Sequence, residues 1–192
     1  MSQFDAMILT GGKSSRLGGQ EKATMRLGGE RLVDRVAAAA LAVGANRLIT
    51  VGPEHAAPAG SVVVREDPPF TGPLAAIAAG LELVHEEWVM ILPCDLARPD
   101  ALCLALTDAW QSGRESEGEG VLLRDSLGHR QWLAGIYASD ALRAACAALG
   151  DRLTDLPVRR AFGMRGCEKR PLTTLFRLIL TARRICCGLR QR

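Results

Sequence analysis

The chain has 192 residues, 48% of them apolar, 23% charged and 4% aromatic, enough to bury the core of one domain and short for two. So few aromatics leave Ala, Leu, Val and Ile to build the core, as in helix-covered parallel sheets, and argue against an all-β sandwich. The net charge of +3 divides unevenly, because residues 165–192 carry eight Lys or Arg against Glu168, a balance of +7 that leaves −4 on the rest and no basic face for a nucleic acid.

In chain order, Ala6 to Thr10 is an apolar run that stops at Gly11 and Gly12, the pattern of a buried strand emptying into a loop that reaches about Lys22. Leu32, Val33, Val36, Ala40 and Val43 recur at three- and four-residue spacing before Gly44, which predicts a helix closed by glycine. Leu48 to Val51 and Val62 to Val64 read as short strands on either side of a Pro/Gly/Ala surface turn. A helix is predicted over 72–87, opening with Gly-Pro and carrying Leu74, Ile77, Ala78, Leu81 and Val84 on one face. Trp88 to Leu92 is a strand that ends abruptly at Pro93, Cys94 and Asp95. A helix over Pro99 to Trp110 follows, then the polar turn SGRESEGEG. Strands over Val121 to Arg124 and Gln131 to Tyr137 flank a turn at 126–128, and Ser139 or Asp140 is placed to cap a helix running to Leu149. Strand, helix and strand alternate, so a parallel sheet with right-handed crossovers is expected.

No apolar stretch reaches the roughly 20 residues that span a bilayer. The segment MSQFDAMILTGG lacks the basic region, apolar core and cleavage site of a signal peptide, so a cytoplasmic protein without a membrane partner is expected. The six cysteines (Cys94, Cys103, Cys146, Cys167, Cys186, Cys187) form neither a CxxC pair nor a zinc spacing and read as buried free thiols in a reducing compartment.

Three segments carry chemistry. Leu9 to Lys22 reads LTGGKSSRLGGQEK, where glycines let backbone amides approach phosphate oxygens while Arg16 and Lys22 neutralise them. A solvated turn is the plain alternative. Counting excludes two familiar phosphate loops: Met7 stands where a Walker A loop needs its first glycine, and Lys13 and Arg16 stand at glycine positions of the dinucleotide fingerprint. Asp95, at a strand end, is placed to hold a metal against bound phosphates, with helix capping as the alternative and Asp100 as a competitor for that cap. Asp67, at the end of another strand and before a stiff Pro-Pro segment, is an acceptor that could serve a base or a ribose, or belong to a surface turn.

Taken together the segments resemble the molybdenum cofactor guanylyltransferases, within the larger set of sugar-nucleotide-like nucleotidyltransferases. The family's loop reads approximately LAGGxSxRMGGxDK, and here Thr10, Leu17 and Glu21 replace its Ala, Met and Asp. GPLAGI stands as Gly72-Pro73-Leu74-Ala75-Ala76-Ile77, and PCDxP as Pro93-Cys94-Asp95-Leu96-Ala97, with Ala97 for the usual proline. The resemblance covers about the first 110 residues. It implies an α/β fold, a Rossmann-like three-layer αβα domain with a mostly parallel central sheet, over residues 1–175. It further implies transfer of GMP from GTP to the phosphate of molybdopterin with Mg²⁺ as cofactor and release of pyrophosphate, and leaves room for transient contact with molybdoenzyme maturation proteins. By the same analogy Leu9, Thr10, Gly11 and Gly12 meet the nucleotide, Arg16 and Lys22 contact phosphate, Asp67 contacts the nucleoside and Asp95 holds Mg²⁺. In-line attack on the α-phosphorus needs positioning and charge neutralisation, so no Ser, Cys or His nucleophile is required. His55, His85 and His129 are left as surface residues. The spacing RLGGQEK favours guanine over the shorter RMGxPK of cytidylyltransferases, by resemblance alone. Another nucleotidyltransferase of this fold, using CTP, a sugar phosphate or a cobinamide phosphate, and a non-catalytic GTP-binding module are the alternatives.

The C-terminus departs from that pattern. Family members end in a segment like DxDTPEDL, whereas residues 176–192 read FRLILTARRICCGLRQR. Permitted codons for this tail, read two bases further on, encode PADIDSPEDLLRAQAA, so a shifted reading frame is one expectation. A basic amphipathic helix with Leu175, Leu178, Ile179, Ile185 and Leu189 on one face is the other.

Overall fold

The computed structural model describes residues 3–11, 22–113, 120–125, 127–154, 156, 158 and 159. Gly12, Arg16, Cys167, Cys186, Cys187 and the basic tail 176–192 lie outside those residues.

Six strands form one sheet: β1 (Phe4–Leu9), β4 (Leu48–Val51), β5 (Val62–Val64), β6 (Trp88–Pro93), β7 (Gly120–Arg124) and β8 (Arg130–Ala138). Two further strands, β2 (Arg26–Leu27) and β3 (Glu30–Arg31), make a small hairpin. The order is β5-β4-β1-β6-β8-β7, parallel across the first four strands, with β8 antiparallel to both β6 and β7. The expectation of a mostly parallel sheet is met, and the antiparallel edge follows from the β7–β8 hairpin, which needs no crossover helix.

Helices α1 (Leu32–Ala42) and α3 (Pro99–Ser112) cover one face, α2 (Pro73–Leu81) and α4 (Ser139–Leu149) the other. The pleat of the central strands decides this division: Phe4, Ala6 and Ile8 of β1, with Met90 and Leu92 of β6, join the core under α1 and α3. Met7, Leu9, Val89 and Ile91 join the core under α2 and α4. Strands buried on both faces are why the sequence shows continuous apolar runs there instead of alternation. Cys94, Cys103 and Cys146 are buried free thiols, as the sequence suggested. No helix among the described residues is long and apolar enough to cross a membrane.

Two helix boundaries differ from the sequence reading. α2 stops at Leu81 and not near Glu87, where carbonyls find tertiary partners: Arg143 of α4 donates to the oxygen of Leu81, its last residue, and to that of Val84 just beyond it, at 3.2 and 2.6 Å. The buried Asp5 carboxylate of β1 accepts the amides of His85 and Glu86 at 2.9 and 3.4 Å, so this stretch turns toward β6 without losing hydrogen bonds. At α4 neither Ser139 nor Asp140 caps. The N-cap is Ala138, the Ser139 hydroxyl donates to the Glu86 carbonyl at 2.8 Å, and Asp140 pairs with Arg143 at 2.9 Å.

The chain leaves β1 through α1 to β4 and β5 on one side, then returns through α2 to β6 on the other side of β1. Strand order therefore reverses at β1, and in open α/β sheets ligands bind beyond the carboxyl ends of the strands at such a reversal.

Candidate functional site

At that position lies a cavity of about 380 Å³. Leu9, Thr10 and Gly11 enter it from the end of β1, Pro93, Cys94 and Asp95 from the end of β6. Glu66, Phe70 and Gly72 come from the loop between β5 and α2, and Lys22, Ala76 and Leu133 complete the walls. The three sequence segments singled out for chemistry thus converge on one space.

The end of β1 is pinned to β4. The amides of Thr10 and Gly11 both donate to the Val51 carbonyl, at 3.0 and 3.3 Å, and the Thr10 hydroxyl adds a bond of 3.2 Å to the same oxygen. These residues wall the cavity, and the amides of Thr10 and Gly11 are engaged with the Val51 carbonyl. Gly52 makes this approach possible, for its φ is 149°, and a Cβ there would overlap the Thr10 hydroxyl and stand 2.9 Å from the Gly11 nitrogen.

Lys22 opens a short 3-10 turn whose Ala23 is buried in the core beneath α1. Its ammonium reaches the Asp95 carboxylate, Nζ to Oδ2 2.9 Å, with side-chain exposures of 35% and 24%. The two residues with the strongest assigned roles are therefore in contact across 73 positions of sequence. Asp95 does not cap α3, whose N-cap is Arg98 without a side-chain bond, and Asp100 lies in the first turn. The Cys94 amide donates to the Leu9 carbonyl at 3.3 Å, which ties β6 to β1 at the cavity floor. Burial, reinforced by the neighbouring Asp95 charge, pushes the Cys94 thiol up to about 12, so at neutral pH it is neither a nucleophile nor a thiolate ligand.

Among the described residues no group of three or more His, Cys, Asp or Glu is placed to hold a metal. A single carboxylate suits Mg²⁺, which binds through one or two carboxylates plus substrate phosphates and water. The donor set fits an ion that arrives with a polyphosphate. The N-terminus of α2 also faces the cavity: Gly72 is its N-cap, with φ 105° and no side-chain cap, and Pro73 is its first residue. The leading amides and the positive end of a helix favour an anion there.

Asp67 is exposed and outside the cavity lining; the carboxylate that faces the cavity in this loop is Glu66, which is buried. Its Oε1 accepts the Phe70 amide at 3.0 Å. Sequence reading passed over both residues. The usable signal was an aromatic in a chain with so few, in a Pro-Pro-Phe-Thr-Gly-Pro loop just past a strand end. The three histidines named as surface residues are exposed. His129 stabilises the β7–β8 turn, its ring 3.1 Å from Asp125, whose carboxyl is held below the usual range by the His129 amide.

Comparison with known proteins adds ancestry to this geometry. The sequence profile of the MobA-like NTP transferase domain matches residues 6–163. The molybdenum cofactor guanylyltransferase of Pseudomonas fluorescens (strain SBW25) is 36% identical over 102 residues, covering 52% of this chain and 51% of that protein. The chain spans about half the length of the curated relatives it matches. Among solved structures, the molybdopterin-guanine dinucleotide biosynthesis protein A of Archaeoglobus fulgidus superposes with a TM-score of 0.55 at 17% identity, covering 76% of this chain and 72% of the other. Rv0371c of Mycobacterium tuberculosis H37Rv, solved as a complex with manganese, gives 0.57 at 17% identity, with 80% and 78% covered. At those identities the structures speak for the shared fold.

Proposed function

Since the chain belongs to the MobA-like NTP transferase family, we propose that it transfers GMP from GTP to the phosphate of molybdopterin, releasing pyrophosphate and forming the guanine dinucleotide form of the cofactor. The observation that carries this reading is the contact of Lys22 with Asp95 inside the cavity at the strand-order reversal. It gathers one cation for phosphate and one carboxylate for a metal at the position where an α/β sheet takes a nucleotide.

An oxygen of the acceptor phosphate attacks the α-phosphorus of GTP. A new P–O bond forms, the bond to the bridging α–β oxygen breaks, and pyrophosphate leaves with its electron pair. The acceptor is already anionic, so no general base is needed, in keeping with a protonated Cys94 and exposed histidines. The Lys22 ammonium holds phosphate oxygens, and the α2 N-terminus adds partial positive charge. Arg16 is assigned a second phosphate contact by its place in the loop. Asp95 would hold Mg²⁺, which when bound neutralises the triphosphate and the departing pyrophosphate. Leu9, Ala76, Pro93 and Leu133 give the cavity apolar walls that thin out water and strengthen these interactions. Leu9, Thr10 and Gly11 line the cavity, and Gly12 is assigned a nucleotide contact by the family resemblance alone.

The test is pyrophosphate release with Mg-GTP and with Mg-CTP, each with and without molybdopterin. Release that requires both GTP and molybdopterin supports the assignment. CTP-dependent release reassigns the nucleotide, and GTP binding without release assigns a non-catalytic module.

A further inference from the structure

The two antiparallel strands at the edge of the sheet fall out of step in one place. Leu122 and Leu123 are consecutive on β7, yet they pair with Gly135 and Gln131 of β8, so residues 132–134 form a bulge with no partner on β7. The pairing of β8 to β6 stops at the same point, with Ile91 opposite Gly135. Side-chain directions record the break: Ala134 and Ile136 join the core under α1 and α3, whereas Trp132 and Leu133, adjacent in sequence, both pack against the core under α2 and α4. A regular strand would send those two to opposite faces.

Tyr137 fastens this bulge. It is 2% exposed, and its hydroxyl donates to the Trp132 carbonyl at 2.9 Å, reaching back along its own strand. Two glycines, one on each strand, give the ring its room. A Cβ at Gly135 would stand 2.7 Å from the Tyr137 hydroxyl oxygen and 2.6 Å from the Val121 carbonyl, and one at Gly120 would stand 3.0 Å from the ring. The exposed Arg130 adds a second hold, its guanidinium 5.3 Å from the centroid of the Trp132 ring. The bulge bears on the cavity through Leu133, the lining residue that comes from beyond β6; the others belong to the ends of β1 and β6, the Lys22 turn, the loop after β5 and α2. Tyr137 does not line the cavity itself.

Resting on the functional reading above, we propose that Tyr137 is a positioning residue: by holding the Trp132 carbonyl it fixes the bulge that sets Leu133 in the cavity wall, and so shapes the side of the cavity left to the acceptor. In that reading the nucleotide is taken by Lys22, Asp95 and the N-terminus of α2, none of which β8 carries. A shift of about 1 Å in the remaining wall would change how the second substrate is aimed at the phosphorus without loosening the first.

Pyrophosphate release would be measured with GTP and molybdopterin varied in turn, for the full chain and for Tyr137→Phe, Leu133→Ala and the double variant. Phenylalanine keeps the ring and removes the hydroxyl, so the core stays filled while the bulge loses its fastening. We expect Tyr137→Phe to raise the KM for molybdopterin about fivefold, with the KM for GTP within about twofold of the parent. Loss of one buried hydrogen bond should lower the melting temperature by about 3–6 °C, so assays run well below the transition sample folded chain. Adding Tyr137→Phe to Leu133→Ala should change the molybdopterin KM by less than about twofold, a coupling that a general loss of stability does not produce. Acrylamide quenching of tryptophan emission reads the bulge without turnover. It should increase in Tyr137→Phe, and the increase should vanish when Trp132 is also replaced by phenylalanine. Unchanged KM values, equal rises in both, independent effects of the two substitutions or unchanged quenching each overturn this inference and leave the proposed function standing. A parent chain that releases no pyrophosphate from GTP and molybdopterin overturns the functional assignment and this inference together.

Discussion

Replacing Asp95 with alanine separates a structural role from a functional one, because the two predict effects of different size. The ion pair to Lys22 measures 2.9 Å, which at an effective dielectric of about 20 corresponds to a gross attraction of about 6 kcal/mol. Both ends are partly solvated, at 35% and 24% exposure, so desolvation and side-chain ordering offset most of that and leave ~1 kcal/mol of net stability. For a domain of this size the melting temperature should fall by about 2–4 °C. If the same carboxylate positions charge against the reacting phosphates, its removal forfeits about 3–4 kcal/mol of transition-state stabilisation, or about 10²–10³ in kcat/KM. The assay is pyrophosphate release under Mg²⁺ and under Mn²⁺, read beside a thermal melt of the same preparation. Lys22→Met should show the same pattern, a small stability change with a large loss of turnover. Asp95→Ala with turnover within about threefold of the parent would refute the site assignment, and so would a melt lowered by more than about 10 °C with activity tracking the folded fraction.

Gly52→Ala should cost about 2–4 kcal/mol, because a Cβ would overlap Thr10 at a φ of 149°. Urea denaturation measures that loss, and nucleotide affinity should fall with it, since the end of β1 would be pushed off Val51. Burial pushes the Cys103 and Cys146 thiols up to about 12 and about 11 from an unfolded value of 9.0. The folded chain therefore keeps protons that the unfolded chain releases, so the associated stability is complete below pH 9 and is lost as pH rises toward the folded values. Denaturation midpoints between about pH 8 and pH 10.5 should decline, and less steeply in a Cys103→Ala/Cys146→Ala double variant; equal slopes would count against it. The coding DNA for residues 176–192 should hold an acidic DxDSPEDL-like stretch in its second frame. If it does not, the shifted-frame reading of the tail is wrong, and a chain ending at Leu175 then tests the amphipathic-helix reading by loss of partner binding.

The sequence alone determined the chain order of the main-sheet strands and the helices, because residues 6–9, 48–51, 62–64 and 88–93 are apolar apart from Thr50 and the helices between them repeat every three to four residues, whereas the short β2–β3 hairpin gave no such signal. It also singled out Lys22 and Asp95, which the structure brings into contact, since glycine, a cation and a carboxylate at strand ends are local signals that need no knowledge of packing. The end of α2, the N-cap of α4 and the choice of which of two adjacent acids lines the cavity were settled elsewhere in the chain. Arg143 and Asp5, each far from α2 in sequence, take over the hydrogen bonds that would have continued that helix. Glu66 and Asp67 are adjacent acids with equal claims on paper. Tertiary structure turned the first into the cavity and left the second in solvent, because a one-residue step along an extended chain reverses the side-chain direction, and only the position of the neighbouring strand and helix says which direction is inside.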